Sequence, residues 1–509
     1  MLPDLPLHLP PLHLAVPLMA APIGVLWRRP VLAWGWAAVV SAVTLLMAVV
    51  TLVTVLDHGP VSYAVGNWPA PWGIELKLDI LSALMLVLIN GIGLLTVLYG
   101  RASVQSEIQA SHQYLYYICY LLALAGLSGM VITGDAFNLF VCLEISSLSS
   151  YALIAMGKGR KALTAAYNYL VLGTIGATFY IIGVGMLYMV TGTLNMADIA
   201  LHMQAAPVNR TEVVAIAFLL VGIGLKLALF PLHKWLPNAY AHAPTAVTTF
   251  LASTATKVSL YILIRVFFTV LNGAPLLASH LWAEMLVPFA IAGMFSASLV
   301  AIFQTNIKKM LAYSSVAQIG YMALGLGFGT VNGLAAGIIH MINHAMIKGA
   351  LFMAVGCAVL RIGTSASGAV RVESWQGLGR RMPLTMFAFV LAGLSLIGVP
   401  LTTGFVSKWY LMMAAFEKGW WLVAVLIVLS SLLAVVYIWR VVEAAYLRPA
   451  LPGSDTSRCE APLSMLLPLY LLVAANIWFG IDTRFTVDLA QAAASALFQP
   501  VTGLNGGAQ

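Results

Sequence analysis

Apolar runs of about twenty residues recur along this chain, separated by short stretches where glycine, proline and charge gather. As a helix, such a run crosses a hydrocarbon core of roughly 30 Å; strands of a membrane barrel would be shorter and alternate apolar with polar. Hydropathy and punctuation predict fourteen crossings, at about 9–27, 31–56, 78–100, 113–132, 136–157, 162–190, 211–231, 244–270, 281–304, 309–329, 331–360, 383–416, 420–446 and 462–480. The stretch 481–509 is too polar and glycine-rich to span. The expected fold class is all-α and integral to a membrane, a single polytopic domain over 1–509 that includes two broken helices.

Composition agrees. Hydrophobic residues make up 61% of the chain and charged ones 8%, against roughly 25% charged in soluble domains. The formal charge of +8 does not point to nucleic acid, because the basic residues are neither clustered nor interleaved with aromatics. They follow the predicted loops instead. On one side only Lys77, Arg210, Lys418 and Arg484 fall in loops or at span ends, while sixteen lysines and arginines fall on the other. The positive-inside rule then puts both termini on the outer face of a bacterial or archaeal cell membrane. Cys119, Cys142, Cys357 and Cys459 are scattered, with neither metal-ligand nor iron–sulfur spacing, so no metal or disulfide framework is expected. The first apolar run lacks a basic leader and cleavage site and reads as retained.

Against this background seven ionisable residues stand out inside or beside apolar runs: Glu144, Lys226, Lys257, His340, His344, Lys348 and Lys408. Each lysine at mid-membrane costs roughly 2.5–3.5 kcal/mol on translocon scales, and such residues usually mark ion pathways. Lys226 lies in GIGLKLALFPLHKWLP, where Pro231 breaks or kinks the helix; Lys408 follows Pro400 in LIGVPLTTGFVSKW. Irregular backbone at membrane depth is tolerated where protein or a polar cavity covers it, and paired interrupted helices point to an ion site. A plain proline kink with a snorkelling lysine is the competing reading.

Glu144, in DAFNLFVCLEISSLSSYALI, is the carboxylate proposed to pair with Lys226, as a switchable ion pair or as a fixed packing device. His340, His344 and Lys348 recur at i, i+4 and i+8 and so share a helix face, with Asn343 beside them. That face reads as a proton relay or as satisfied core histidines; zinc would need a third ligand that this helix does not offer. Lys257 lies in a Thr/Ser-rich helix after His242 and Pro244. Arg265, near that helix's end, reads as snorkelling, Asp135 as a solvated end residue, and His233 and Lys234 as flanking the break.

The motifs TGDAFNLFVCLEISSLSSYALI, GIGLKLALFPLHKWLPNAYAHAPTAVTTFLASTATKV, HMINHAMIKGALF and GVPLTTGFVSKW resemble the antiporter-like membrane subunits shared by complex I and Mrp-type cation/proton antiporters. The resemblance covers about residues 75–445, and Lys408 with the short tail brings it nearest to the D-type subunits of Mrp antiporters. It implies two inverted five-helix repeats. The chain would then divide into N-terminal helices over 1–112, antiporter halves over 113–270 and 281–446, and a last helix and tail over 447–509. It also implies a proton relay in which Glu144 holds Lys226, Lys257 and the His340/His344/Lys348 helix bridge the halves, and Lys408 ends the track. Expected partners are other membrane subunits, protons and Na⁺ or another monovalent cation; no cofactor or redox site is expected. A proton-pumping subunit of an NADH-quinone oxidoreductase or related redox complex is the alternative. A stand-alone solute carrier and a non-conducting scaffold are further readings.

Overall fold

The computed structural model describes residues 5–205, 209–272, 281–363, 369–450 and 457–499. The long apolar runs fold as helices: α1 (Leu5–Ile23), α2 (Pro30–His58), α3 (Ile80–Glu107), α4 (Gln113–Ile132), α5 (Ala136–Ala155) and α6 (Arg160–Thr191). Then come α7 (Met196–Ala205), α8 (Arg210–Leu227), α9 (Trp235–His242), α10 (Thr245–Ser253), α11 (Ala255–Arg265), α12 (Leu281–Ile302), α13 (Ile307–Gly327) and α14 (Val331–Ile362). The last are α15 (Pro383–Ile397), α16 (Thr403–Glu417), α17 (Trp421–Tyr446), α18 (Leu463–Ile481) and α19 (Arg484–Leu497). Eleven helical segments among the described residues are long and apolar enough to cross a membrane.

Caps set many boundaries. Asp79 and Ser82 form a reciprocal capping box at the start of α3, Asn209 and Glu212 do so for α8, and Asp135, Asn306 and Thr330 cap α5, α13 and α14. Each side chain satisfies backbone donors that have no partner within the helix. Asp135 is therefore a buried cap that accepts from the Asn138 amide, not the solvated end residue expected.

Two features escaped the pattern. Between α2 and α3 an antiparallel hairpin pairs β1 (Val61–Ala64) with β2 (Glu75–Leu78), Val61 opposite Leu78. After α18, α19 buries Val487, Leu489, Ala490, Ala493, Ala494 and Leu497 along one stripe and packs on α14 and α3. The stripe follows the 3.6-residue period of an amphipathic helix, and its polar residues keep it from reading as a span.

The core is organised around α14. From Gly333 to Val359 every residue is buried, as expected for a helix surrounded by others. It packs on α10, α11 and α3 on one side and on α13, α15, α16 and α18 on others. By contrast α2, α6 and α17 keep many large apolar side chains exposed along one face.

Candidate functional site

Lys226 sits in the last turn of α8, immediately before the expected break. Ala228 takes a left-handed conformation, φ 59°, and ends the helix. The chain resumes as α9 at Trp235, whose indole Nε1 donates to the Leu225 carbonyl at 2.7 Å and satisfies one acceptor at the break. Beneath the lysine, α6 and α8 meet backbone to backbone, since a Cβ on Gly222 would lie 2.7 Å from the Gly176 carbonyl oxygen. Small residues permit that approach between membrane helices.

Across from α8, the helix α5 presents Glu144, Ser147 and Tyr151 at i, i+3 and i+7. The Lys226 ammonium donates to Ser147 Oγ at 2.7 Å and to the Tyr151 hydroxyl at 3.3 Å. It lies 3.7 Å from Glu144 Oε1, an ion pair longer than a hydrogen bond. The lysine side chain is 6% exposed and the glutamate 24%.

The second break is as sharp. α15 ends at Ile397, Gly398 is left-handed, and α16 restarts at Thr403 beyond Pro400. Lys408 reaches back from α16 and donates to the Leu396 and Ile397 carbonyls at 3.0 and 2.8 Å and to Ser431 Oγ at 2.8 Å. Those are terminal carbonyls of α15, which have no acceptor role within their own helix and carry its negative dipole end. The Tyr321 ring lies 5.2 Å from the ammonium.

A third interruption was not expected. Thr254, φ −121° and ψ −58°, divides α10 from α11, and the Lys257 ammonium bonds to the Ala252 carbonyl, near the end of α10. The Lys348 ammonium donates to the Leu311 carbonyl at 2.8 Å and to Ser314 Oγ, both on α13.

His340 and His344 stack in parallel with centroids 6.1 Å apart, as one helix face requires. His340 meets Gln318 Oε1 through Nε2 at 3.0 Å and Ser407 Oγ through Nδ1 at 2.8 Å, one residue from Lys408. His344 is fully buried, and neither ring nitrogen has a hydrogen-bond partner among the described residues. An imidazole in that state can take a proton at one nitrogen and release one from the other.

The structure thus joins Glu144 to Lys226, and His340 through Ser407 to the helix of Lys408, with His344 stacked on His340 but not hydrogen-bonded to it. Among the described residues, no hydrogen bond or ion pair joins Lys226 to Lys257, or Lys348 to His344. Pro231 and Pro400 lie at the two breaks as expected. His233 stacks on Phe230 beside the first, and Lys234 is exposed.

Several polar partners were missed. Ser147 was legible, one turn from Glu144, whereas Gln318, Ser314 and Ser431 come from helices whose contact no local spacing announces. Two basic residues need correction. Arg265 does not snorkel: it donates to Asp79 Oδ1 at 2.6 Å and to the Tyr261 hydroxyl at 2.7 Å. Lys308, one of the sixteen basic residues assigned to the loops of the basic side, is buried, donates to the Ala243 carbonyl at 2.9 Å and lies 3.9 Å from Glu107.

Residues 133–434 match the family described as NADH:quinone oxidoreductase/Mrp antiporter, TM. The chain is 42% identical to the N-type subunit of the NADH-quinone oxidoreductase of Desulforudis audaxviator, over 93% of this chain and 96% of that one. It is 31% identical to the D-type subunit of the Na(+)/H(+) antiporter of Alkalihalophilus pseudofirmus, over 86% of each. Among solved structures it resembles a chain of the Mrp complex from Dietzia sp., TM-score 0.88 at 27% identity over 97% of this chain and 98% of that one. It also resembles a chain of respiratory complex I from Thermus thermophilus, TM-score 0.74 at 26% identity over 94% and 99%. The chain belongs to the NADH:quinone oxidoreductase/Mrp antiporter family of multi-pass membrane proteins.

Proposed function

We propose that this chain is a proton-conducting membrane subunit of a multisubunit Na⁺/H⁺ antiporter. Protons move along Glu144, Lys226, Lys257, Lys348, His344, His340 and Lys408, and their movement is coupled to a monovalent cation. The observation that carries this reading is the Lys226 ammonium beside a helix break, held by hydroxyls and only loosely paired with Glu144. A tight, fully bonded pair would be a packing device; a loose pair between a buried and a partly exposed group is a switch. The likeness to the Mrp complex supports the antiporter reading.

We further place fourteen crossings, adding α8–α9, α13 and α15–α16 to the eleven apolar segments, with halves over 113–270 and 281–446. Both termini lie on the outer side of a bacterial or archaeal cell membrane, because the basic residues gather at the opposite loops. A redox-driven pump is the second reading, favoured by the 42% identity to a quinone oxidoreductase subunit.

The test is Glu144→Ala and Lys226→Ala in the assembled complex, with proton transport followed in everted vesicles. Loss of coupled transport in normally assembled complexes is expected; undiminished transport overturns the role. Proton uptake driven by a sodium gradient favours the antiporter, whereas uptake only on addition of a reductant and quinone favours the pump.

A further inference from the structure

Nothing around the Lys408 ammonium is specific to a lysine. Its ligands are two backbone carbonyls, one hydroxyl and a ring face, all uncharged. None of the ion pairs among the described residues includes Lys408. The titratable groups near it are Tyr321 from α13 and His340 and His344 from α14; α15 brings none, α17 brings Ser431, and α18 brings Asn476 to the adjoining break.

A buried ammonium compensated this way is held as a monovalent cation at the negative end of a half-helix. The same end of an interrupted membrane helix is a general place for small cations to bind. Without a cation, the Leu396 carbonyl would lose the one donor it has among the described residues and Ile397 would keep Ser431 Oγ alone among them, which is costly for buried backbone. The Lys408 chain lies directly over Gly398, where a Cβ would stand 3.0 Å from its Cδ and 3.4 Å from Nζ, so a glycine is needed there for the ammonium to reach the carbonyls.

We propose that the Leu396, Ile397 and Ser431 oxygens form a binding site for a monovalent metal cation, which the protonated Lys408 side chain itself occupies and vacates when it loses its proton. The inference rests on the proton-carrying role proposed above for Lys408. One proton leaves toward His340, whose Nδ1 meets the neighbouring Ser407, the neutral amine withdraws from the carbonyls, and one metal cation enters. The charge of the cage stays at one throughout. Proton and metal cation then exclude each other at a single place, which is the elementary requirement of antiport.

The test is equilibrium binding of radioactive sodium to the purified full complex, with lithium and potassium as competitors, for wild type, Lys408→Ala, Lys408→Arg and Lys408→Ala with Ser431→Ala. In wild type, sodium binding at this site should weaken by up to tenfold for each unit the pH falls. Lys408→Ala should bind at every pH, Lys408→Arg at none, and the added Ser431→Ala should weaken binding at least fivefold. Competition by lithium or potassium ranks the preferred ion. Equal binding by the Ala and Arg variants overturns the site, as does binding by neither. Should Lys408→Ala fail to assemble, Lys408→Gln against Lys408→Arg reads the same difference. An absent site together with Lys226-dependent proton transport sinks this inference alone; loss of that dependence sinks the function proposed above.

Discussion

Lys226 stands 3.7 Å from Glu144 but only 2.7 Å from Ser147, so a hydroxyl and not the carboxylate makes its shortest contact. Coulomb attraction at that separation is about 4 kcal/mol at an effective dielectric near 20. Desolvation of each ion costs several kcal/mol in return. The two nearly cancel, and the hydrogen bonds decide whether the charged lysine is kept.

Ser147→Ala should therefore impair coupled transport without removing either charge. A hydrogen bond to an ionised group contributes about 1.5–3 kcal/mol, so the loss should be roughly ten- to a hundredfold. Ser147→Thr should restore most of it. Fluorescence quenching of a proton-sensitive dye in everted vesicles reads both; a Ser147→Ala rate equal to wild type would refute the positioning role.

Tyr151 depends on a missing side chain. A Cβ on Gly173 would stand 2.0 Å from the Tyr151 hydroxyl, in α6 opposite the Glu144 helix. Gly173→Ala must push Tyr151 aside, at a cost of about 1–3 kcal/mol for overpacking. The expected result is a lower melting temperature in detergent and slower transport. Adding Tyr151→Phe should recover stability but not transport, because the hydroxyl that meets the new methyl also holds Lys226.

A different pair anchors the hairpin end of the molecule. Burial pushes the Asp79 carboxyl up, but the charge and hydrogen bond of Arg265, with the bonds from Ser82, outweigh it and hold the group below the usual carboxylate range. A depressed folded-state value means that the pair stabilises fully above the unfolded carboxylate value, near 3.9, and that this is lost as pH falls through the lower folded value. Asp79→Asn should flatten the acid side of the melting-temperature profile and lower the plateau, since Arg265 is left buried and unpaired. A variant profile parallel to wild type down to pH 3 would show that the pair contributes nothing.

How much of this could be read from the chain depends on the reach of each interaction. Pro231 and Pro400 announce two breaks because proline acts on its own helix, and Glu144 and Ser147 share a face by spacing alone. The third break, at Thr254, has no proline or glycine to mark it; it shows only in the backbone and in Lys257 turning to the Ala252 carbonyl. Arg265 and Asp79 are 186 positions apart, and Lys408 and Ser431 meet across a turn between helices. Such partners are fixed by packing, so a buried basic residue could be recognised while its ligands could not. The exposed faces of α2, α6 and α17 look to hydropathy like any other apolar run, because lipid and protein ask for the same side chains.

Glu107 is the last case, and it links stability to the relay. Pro244, at the start of α10, offers no capping side chain, and Glu107 from α3 takes that place. It accepts from the Thr245 amide at 2.9 Å and from the Thr245 hydroxyl at 3.1 Å, while Ser103 donates to its other oxygen. Lys308 lies 3.9 Å away and bonds to the Ala243 carbonyl, so α13 is tied to the same start of α10. Nine residues of α10 and the Thr254 interruption then lead to Lys257. Glu107→Ala removes a cap, about 1 kcal/mol by itself, and also leaves Lys308 without its carboxylate. The expected result is a lower melting temperature and reduced proton transport, with Glu107→Gln intermediate because its amide oxygen can still accept from Thr245. Lys308→Met in the Glu107→Ala background should recover stability, since the unpaired buried charge is gone, yet leave transport low if the cap is what positions Lys257. Full recovery of transport in that double variant would locate the defect in the stranded charge instead.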